Sequence, residues 1–220
     1  NLVPLLEEED IIIDGGNSYF KDSMEIYKKL KSKGINFLDC GTSGGLEGAR
    51  NGGSVMVGGD KEAFERVEQL FQDLSINCNY IGEAGAGHLA KGGHNHLEYI
   101  VMDGIAEAII TTQKIARDHG IHIDIKTLVK AYAKGTITEG KLMNYLMSGM
   151  NRGDFESISG SVPIGETEKE MEEITLLADT PMLKQALVTR RASRIIPSEK
   201  GKIIAAMRRE FGGHSVNKTT

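Results

Sequence analysis

The sequence predicts an α/β sheet followed by an all-helical part. Three observations carry this reading. Short β-branched runs alternate with amphipathic stretches as far as Ile81, apolar residues recur at three- and four-residue spacing from His88 onward, and glycine-rich turns end the predicted strands. The chain opens on Asn1 and soon meets its first apolar run, so it reads as a fragment or a processed product.

Ile11 to Ile13 form the first predicted strand, ended by the turn Asp14-Gly15-Gly16-Asn17-Ser18. A helix is expected from Phe20 to Lys33, stopped by Gly34. Ile35 to Cys40 read as the second strand, with a glycine-rich loop from Gly41 to Gly53 at its carboxyl end. Ser54 to Val57 give a third strand, Lys61 to Leu74 an amphipathic helix, and Cys78 to Ile81 a fourth strand. The period then changes for good. His88 to His119 read as a helix interrupted at Gly92-Gly93, and further helices are expected near 124–134, 139–149, 166–178, 181–194 and 199–210. The composition shift and the glycine hinge after Gly82 place a domain boundary near residue 84, giving 1–84 and 85–220.

Composition narrows the function classes. Hydrophobic residues at 40% and charged residues at 26% are ordinary for a soluble protein. No apolar run approaches the roughly 20 residues needed to span a bilayer, and no signal layout opens the chain, so a cytoplasmic location is expected. Asp and Glu outnumber Lys and Arg 31 to 26, for a net charge of -5; neither nucleic acid nor a membrane surface is expected as partner. Cys40 and Cys78 make no framework and read as reduced thiols. Glycine is the outlier, at 27 residues, and its clusters mark places where backbone approaches something closely.

Lys91, Asn95 and Glu98 share one helical face within roughly 60°, with His94 at its margin. Lys91 and Glu98 stand about 10.5 Å apart along the axis, so a small polyol fits between an amine and a carboxyl. A solvated face with a charge pair explains the same spacing. Gly92-Gly93 admits either close approach of a ligand or a local break. The Gly41–Gly53 loop offers backbone N–H groups and the Ser43 hydroxyl to a carboxylate or a hydroxyl-rich ligand, or is a plain hairpin loop. Arg208 and Arg209 before Gly212-Gly213 read either as ligand cations or as a helix C-cap. No metal site is expected, because His88, His94 and His96 lack an acidic or thiol partner at ligand spacing.

Taken together, Asp14 to Ser18, Ser43 to Gly45 with Gly48 to Arg50, Gly85 to Lys91 with His94-Asn95 and Glu98-Tyr99, Arg190 to Ser193, and Phe211 to His214 resemble the 6-phosphogluconate dehydrogenase family of the β-hydroxyacid dehydrogenases, especially its short form. The pieces occur in the family's order across most of the chain. The resemblance implies residues 1–84 as part of a Rossmann-type domain and residues 85–220 as a helical substrate-binding and oligomerisation domain. It implies oxidation and decarboxylation of 6-phosphogluconate to ribulose 5-phosphate in the pentose phosphate pathway, with NADP or NAD as cofactor. Lys91 and Glu98 then match the family's catalytic pair. Ser43, Gly44, Gly45, His94 and Asn95 match its carboxylate and hydroxyl contacts, and Tyr99 and Arg190 its phosphate contacts. Arg208 and His214 match residues reaching into a neighbouring subunit's site, which implies a homo-oligomer, dimer or tetramer. Asn17 matches the cofactor-side asparagine. The dinucleotide fingerprint GxGxxG is absent, so the first nucleotide-binding half is expected to be missing and the chain to be an inactive fragment. No residue between Ser159 and Asp179 matches the family's phosphate segment. Another β-hydroxyacid dehydrogenase, or a non-catalytic oligomerisation or binding remnant, are the alternatives.

Overall fold

The computed structural model describes residues 3–219. Among these, strands β1 (Ile11–Asp14), β2 (Asn36–Ser43), β3 (Gly53–Gly59) and β4 (Ser75–Gly82) lie in sequence order in one sheet. The pairs β1–β2 and β3–β4 are parallel, connected through α1 (Phe20–Lys31) and α3 (Lys61–Leu74). The central pair β2–β3 is antiparallel. Its connection is not the open loop expected from the glycines, because Gly45–Asn51 forms a short helix, α2. Glycine makes that return possible: a Cβ on Gly53 would stand 2.3 Å from the Ser43 carbonyl oxygen.

Burial on both faces explains the apolar strands. Leu38, Cys40, Val55 and Val57 pack against Ala63, Phe64 and Phe71 of α3, while Leu30, Ile35 and Phe37 form a second core on the α1 side. Phe64 stacks on Phe71 at 5.9 Å between ring centroids.

Helix α4 (Ala86–Asp118) runs without the break expected at Gly92-Gly93. Two glycines cost roughly 1 kcal/mol each against alanine, too little to break a helix anchored at both ends by packing. The chain divides into compact units Asn1–Asn95 and His96–Thr220.

The second unit holds α5 (Ile125–Tyr132), α6 (Lys141–Asn151), α7 (Glu168–Leu177), α8 (Pro181–Ile195) and α9 (Glu199–Gly212). Its main core joins Met102, Ala106 and Ile109 of α4 to Leu146 and Met150 of α6 and Ile203 to Met207 of α9. Tyr99 packs instead with Met171, Leu183, Ala186 and Leu187 between α7 and α8. Among the described residues no helix is long and apolar enough to cross a membrane.

Candidate active site

In the first unit, alternate residues of β2 address the start of α4. Asp39 is fully buried and accepts hydrogen bonds from the backbone N–H groups of Gly85, at 2.7 Å, and His88, at 2.8 Å. A Cβ on Gly41 would meet the Lys91 Cβ at 2.6 Å, so Lys91 sits directly on that glycine. Ser43 Oγ lies 3.1 Å from His94 Nε2. Gly44 and Gly45 follow with φ of +136° and +58°, conformations that glycine adopts freely, and they expose backbone beside Ser43. Asn95 is buried, and its Nδ2 has no hydrogen-bond partner among the described residues. The sequence-derived residues thus lie at the end of β2 (Ser43), at the start of α2 (Gly44, Gly45) and on α4 (Lys91, His94, Asn95).

Asn17 is exposed on the turn after β1, which Asp14 holds by accepting from Gly16 N–H at 3.0 Å and Ser18 Oγ–H at 2.8 Å. That turn lies at the carboxyl end of a parallel strand, the edge where ligands bind α/β sheets. Gly85-Ala86-Gly87-His88-Leu89-Ala90 has the relaxed dinucleotide spacing GxGxxA after β4 and opens α4. It is not a phosphate cradle. The Asp39 carboxylate already occupies its N–H groups, and a Cβ on Gly87 would strike the carbonyl oxygens of Asp39 and Met56 at 2.4 and 2.5 Å.

The second unit gathers Tyr99, Arg190, Arg208 and His214. The Arg190 guanidinium stacks 3.6 Å from the centre of the Tyr99 ring, and its NH2 donates to Met102 Sδ at 3.7 Å. Arg208 NH1 donates to the Pro163 carbonyl at 2.6 Å. A Cβ on Gly165 would come within 2.8 Å of Arg208 NH2 and 3.8 Å of the Tyr99 hydroxyl, so that glycine leaves room for both. Phe211 holds the His214 ring edge-on at 5.8 Å, and Gly212 leaves it space, since a Cβ there would lie 2.4 Å from His214 Nε2. Burial pushes Arg190 down to about 10 and lowers Arg208 in the same sense. His214 is lowered by burial and then by the charges of Arg208 and Arg190.

Neither Arg190 nor Arg208 forms an ion pair among the described residues. Buried Glu168 is taken up elsewhere, by both terminal nitrogens of Arg194 at 2.7 and 3.0 Å. Glu98, half-buried on α4, adds a negative field at both arginines. Arg208 and His214 were expected in a neighbouring subunit's site. Here they stand beside Tyr99 and Arg190 of their own chain, because α9 is buried in the same core as α4. Sequence reasoning missed Thr167, whose Oγ1 lies 3.1 Å from the Tyr99 hydroxyl, and Gly165. Thr167 lies at the edge of the helix expected near 166–178 and takes the N-cap position of its actual start at Glu168, while Gly165 precedes it in irregular chain; neither carries a motif that marks it.

Residues 1–82 match the family model for the NAD binding domain of 6-phosphogluconate dehydrogenase. Over 98% of its length the chain is 37% identical to the Bacillus subtilis protein YqeC, provisionally named a 6-phosphogluconate dehydrogenase, and it spans 73% of that relative. The chain belongs to the 6-phosphogluconate dehydrogenase family. Within the family, the decarboxylating enzyme 1 of Saccharomyces cerevisiae is 51% identical over 113 residues, 49% of this chain and 23% of that protein. The chain therefore spans about a quarter of that relative. Among solved structures, Plasmodium falciparum 6-phosphogluconate dehydrogenase, described with its cofactor NADP+ and with its substrate 6-phosphogluconate, superposes with a TM-score of 0.79 at 27% identity over 88% of this chain and 44% of that one. Mycobacterium tuberculosis 3-hydroxyisobutyrate dehydrogenase, at 19% identity and a TM-score of 0.69, shares the fold.

Proposed function

We propose that the chain serves the oxidative decarboxylation of 6-phosphogluconate to ribulose 5-phosphate and CO2. One observation carries this reading: Arg190 and Arg208 are buried beside Tyr99 without a carboxylate partner. Burying two cations is costly unless an anion meets them, and a phosphate of charge near -2 with three acceptor oxygens matches two guanidinium forks. Tyr99, Thr167 and His214 supply further polar groups to it. An unphosphorylated hydroxyacid would leave the two guanidiniums with only the fields of Glu98 and Glu168 and no directly bonded anion, which favours 6-phosphogluconate over the substrates of the other β-hydroxyacid dehydrogenases.

The roles follow the family resemblance. Ser43, the backbone at Gly44 and Gly45, His94 and Asn95 bind the substrate's carboxylate and hydroxyls. Lys91 in its neutral amine form takes the proton of the C3 hydroxyl while hydride leaves C3, giving a β-keto acid. The resulting ammonium then donates to the ketone oxygen as CO2 departs, and Glu98 protonates C1 of the enediol. A bound nicotinamide, of NADP or NAD, supplies the hydride acceptor. The chain's residues suit the nicotinamide side alone: Asn17 stands on the open turn after β1, whereas no described helix start carries the GxGxxG fingerprint that holds a pyrophosphate.

Chain association is assigned to one face of α4, where Leu97, Val101 and Ile115 are exposed within about 40° of one another. Sedimentation of Leu97→Glu tests it, with a shift to monomer expected and an unchanged oligomer sinking the assignment. The substrate assignment is tested by calorimetry with 6-phosphogluconate and with gluconate. Binding of 6-phosphogluconate at least 10²-fold tighter is expected; equal affinities would overturn it. In a turnover assay of this chain joined to a family dinucleotide-binding segment, Lys91→Met should lower kcat on the order of 10²-fold or more with substrate affinity within about tenfold.

A further inference from the structure

Asp39, Gly41 and Ser43 alternate along β2 and so project from one face of it, and each meets a successive turn of α4. Asp39 holds the N–H groups of Gly85 and His88, Gly41 seats Lys91, and Ser43 reaches His94. Strand and helix run in the same direction here, in a fixed register. We propose that Asp39 is the positioning residue for Lys91, an inference that rests on Lys91 being the acid–base group.

The cap is unusual in its origin. A helix start is ordinarily capped by the residue just before it, whereas here the acceptor comes from a strand 46 residues earlier in the chain. It therefore ties α4 to the sheet rather than only satisfying it. Both carboxylate oxygens are used, one for Gly85 and one for His88, and the positive helix start offsets the desolvation of a side chain with no exposed surface. Glycines keep the gap closed to any side chain: a Cβ on Gly58 would lie 2.7 Å from Asp39 Oδ1 and 2.7 Å from Gly87 N. The distance between β2 and α4 is thus set by backbone and by this one carboxylate. Lys91 follows His88 by three residues, less than one helical turn, so a displacement of the capped N–H groups passes to its Cα undiminished. The buried His88 ring places Nδ1 2.7 Å from Ser23 Oγ and 3.9 Å from Asp39 Oδ2, so the same carboxylate that holds the His88 N–H also faces its ring.

The test compares Asp39→Asn with Val57→Ala in the enzyme. Val57 is fully buried in the core on the opposite face of the sheet, so its variant reports general loosening. The asparagine keeps the shape but turns an NH2 toward one of the two N–H groups. Two readouts are taken: steady-state kinetics with 6-phosphogluconate at NADP concentrations well above about 1 mM, and the NMR signal of Lys91 in the 13C-dimethylated protein, assigned by its absence from Lys91→Arg. Asp39→Asn is expected to lower kcat at least tenfold more than Val57→Ala, with KM within about threefold, and to displace the Lys91 signal that Val57→Ala leaves in place. A 1 Å misplacement of a reacting group is enough for that loss. If Asp39→Asn does not fold, Asp39→Glu is read the same way, since it keeps both acceptors and pushes the helix outward. A Lys91 signal and kcat moved no further than in Val57→Ala overturn the proposal. Failure of the unmutated chain to bind 6-phosphogluconate in calorimetry would instead sink the substrate assignment, because the Lys91 signal is read without substrate.

Discussion

Arg190 shows what a buried cation does when no carboxylate meets it: it spreads over the face of Tyr99, and its pKa falls to about 10. It remains charged at neutral pH, as does Arg208, so the two arginines act on whatever titrates beside them. That neighbour is His214, lowered first by burial and then by Arg208 and Arg190. Its folded pKa lies below the ordinary 6.5, so the unfolded chain takes up this proton first as pH falls. The stability His214 contributes is therefore complete above about pH 6.5 and is lost as pH drops through its folded pKa. His214→Asn should flatten this part of the stability curve, read from urea midpoints at pH 7 and pH 5; an equal loss in both proteins would show that His214 is not the group responsible. Bound inorganic phosphate should raise the His214 pKa, seen as an imidazole NMR titration moving to higher pH. Four members of this cluster were legible as residue types in motifs. Thr167 was not, because a single hydroxyl at the edge of an expected helix carries no signal until the chain brings it to Tyr99.

Helices were legible where periodicity was long: α3 falls on Lys61–Leu74 as the spacing predicts, and α8 and α9 come within two residues of their expected ends. Strand direction was not legible, since a period of two is the same read either way, and the antiparallel β2–β3 pairing emerges from the close backbone approach at Gly53. Glycine misled twice, hiding α2 and suggesting a break in α4. Its two uses along α4 separate by what surrounds each position. Gly87 lies against the carbonyls of Asp39 and Met56, so Gly87→Ala should cost about 2 kcal/mol or more, in the range of overpacked cores. Gly93 has open space around its Cβ position in the interior of the helix. Gly93→Ala should stabilise by roughly 0.5–1 kcal/mol. Urea denaturation reads both. Destabilisation by Gly93→Ala would mean that the helix is not continuous there.

At the scale of the molecule, the tail and the dinucleotide question bear on what this chain can do alone. The tail is part of the fold: Met207 is fully buried, Arg209 pairs with Asp154 at 3.0 Å, and Ser159 N–H bonds the Asn217 carbonyl at 2.8 Å. Deleting 207–220 would therefore remove core as well as cations, and point changes at Arg208 and His214 are the cleaner probes of phosphate binding. The dinucleotide is different, because affinity there comes largely from N–H groups of a glycine turn and helix start aimed at the pyrophosphate. Residues 1–82 match the NAD binding domain of the family, yet the relaxed spacing at Gly85-Ala86-Gly87 is closed by the Asp39 carboxylate, an anion where a second anion would be repelled. What remains is the turn at Asn17, suited to the nicotinamide end, and a nicotinamide contributes few contacts without its pyrophosphate anchor. The 220-residue chain should bind NADP and NAD with Kd weaker than about 1 mM, corresponding to less than about 4 kcal/mol. It should nevertheless bind 6-phosphogluconate, whose cations it carries in full. Calorimetry on the same preparation separates the two ligands, and micromolar binding of either dinucleotide would show that the chain holds a pyrophosphate site other than the one closed by Asp39.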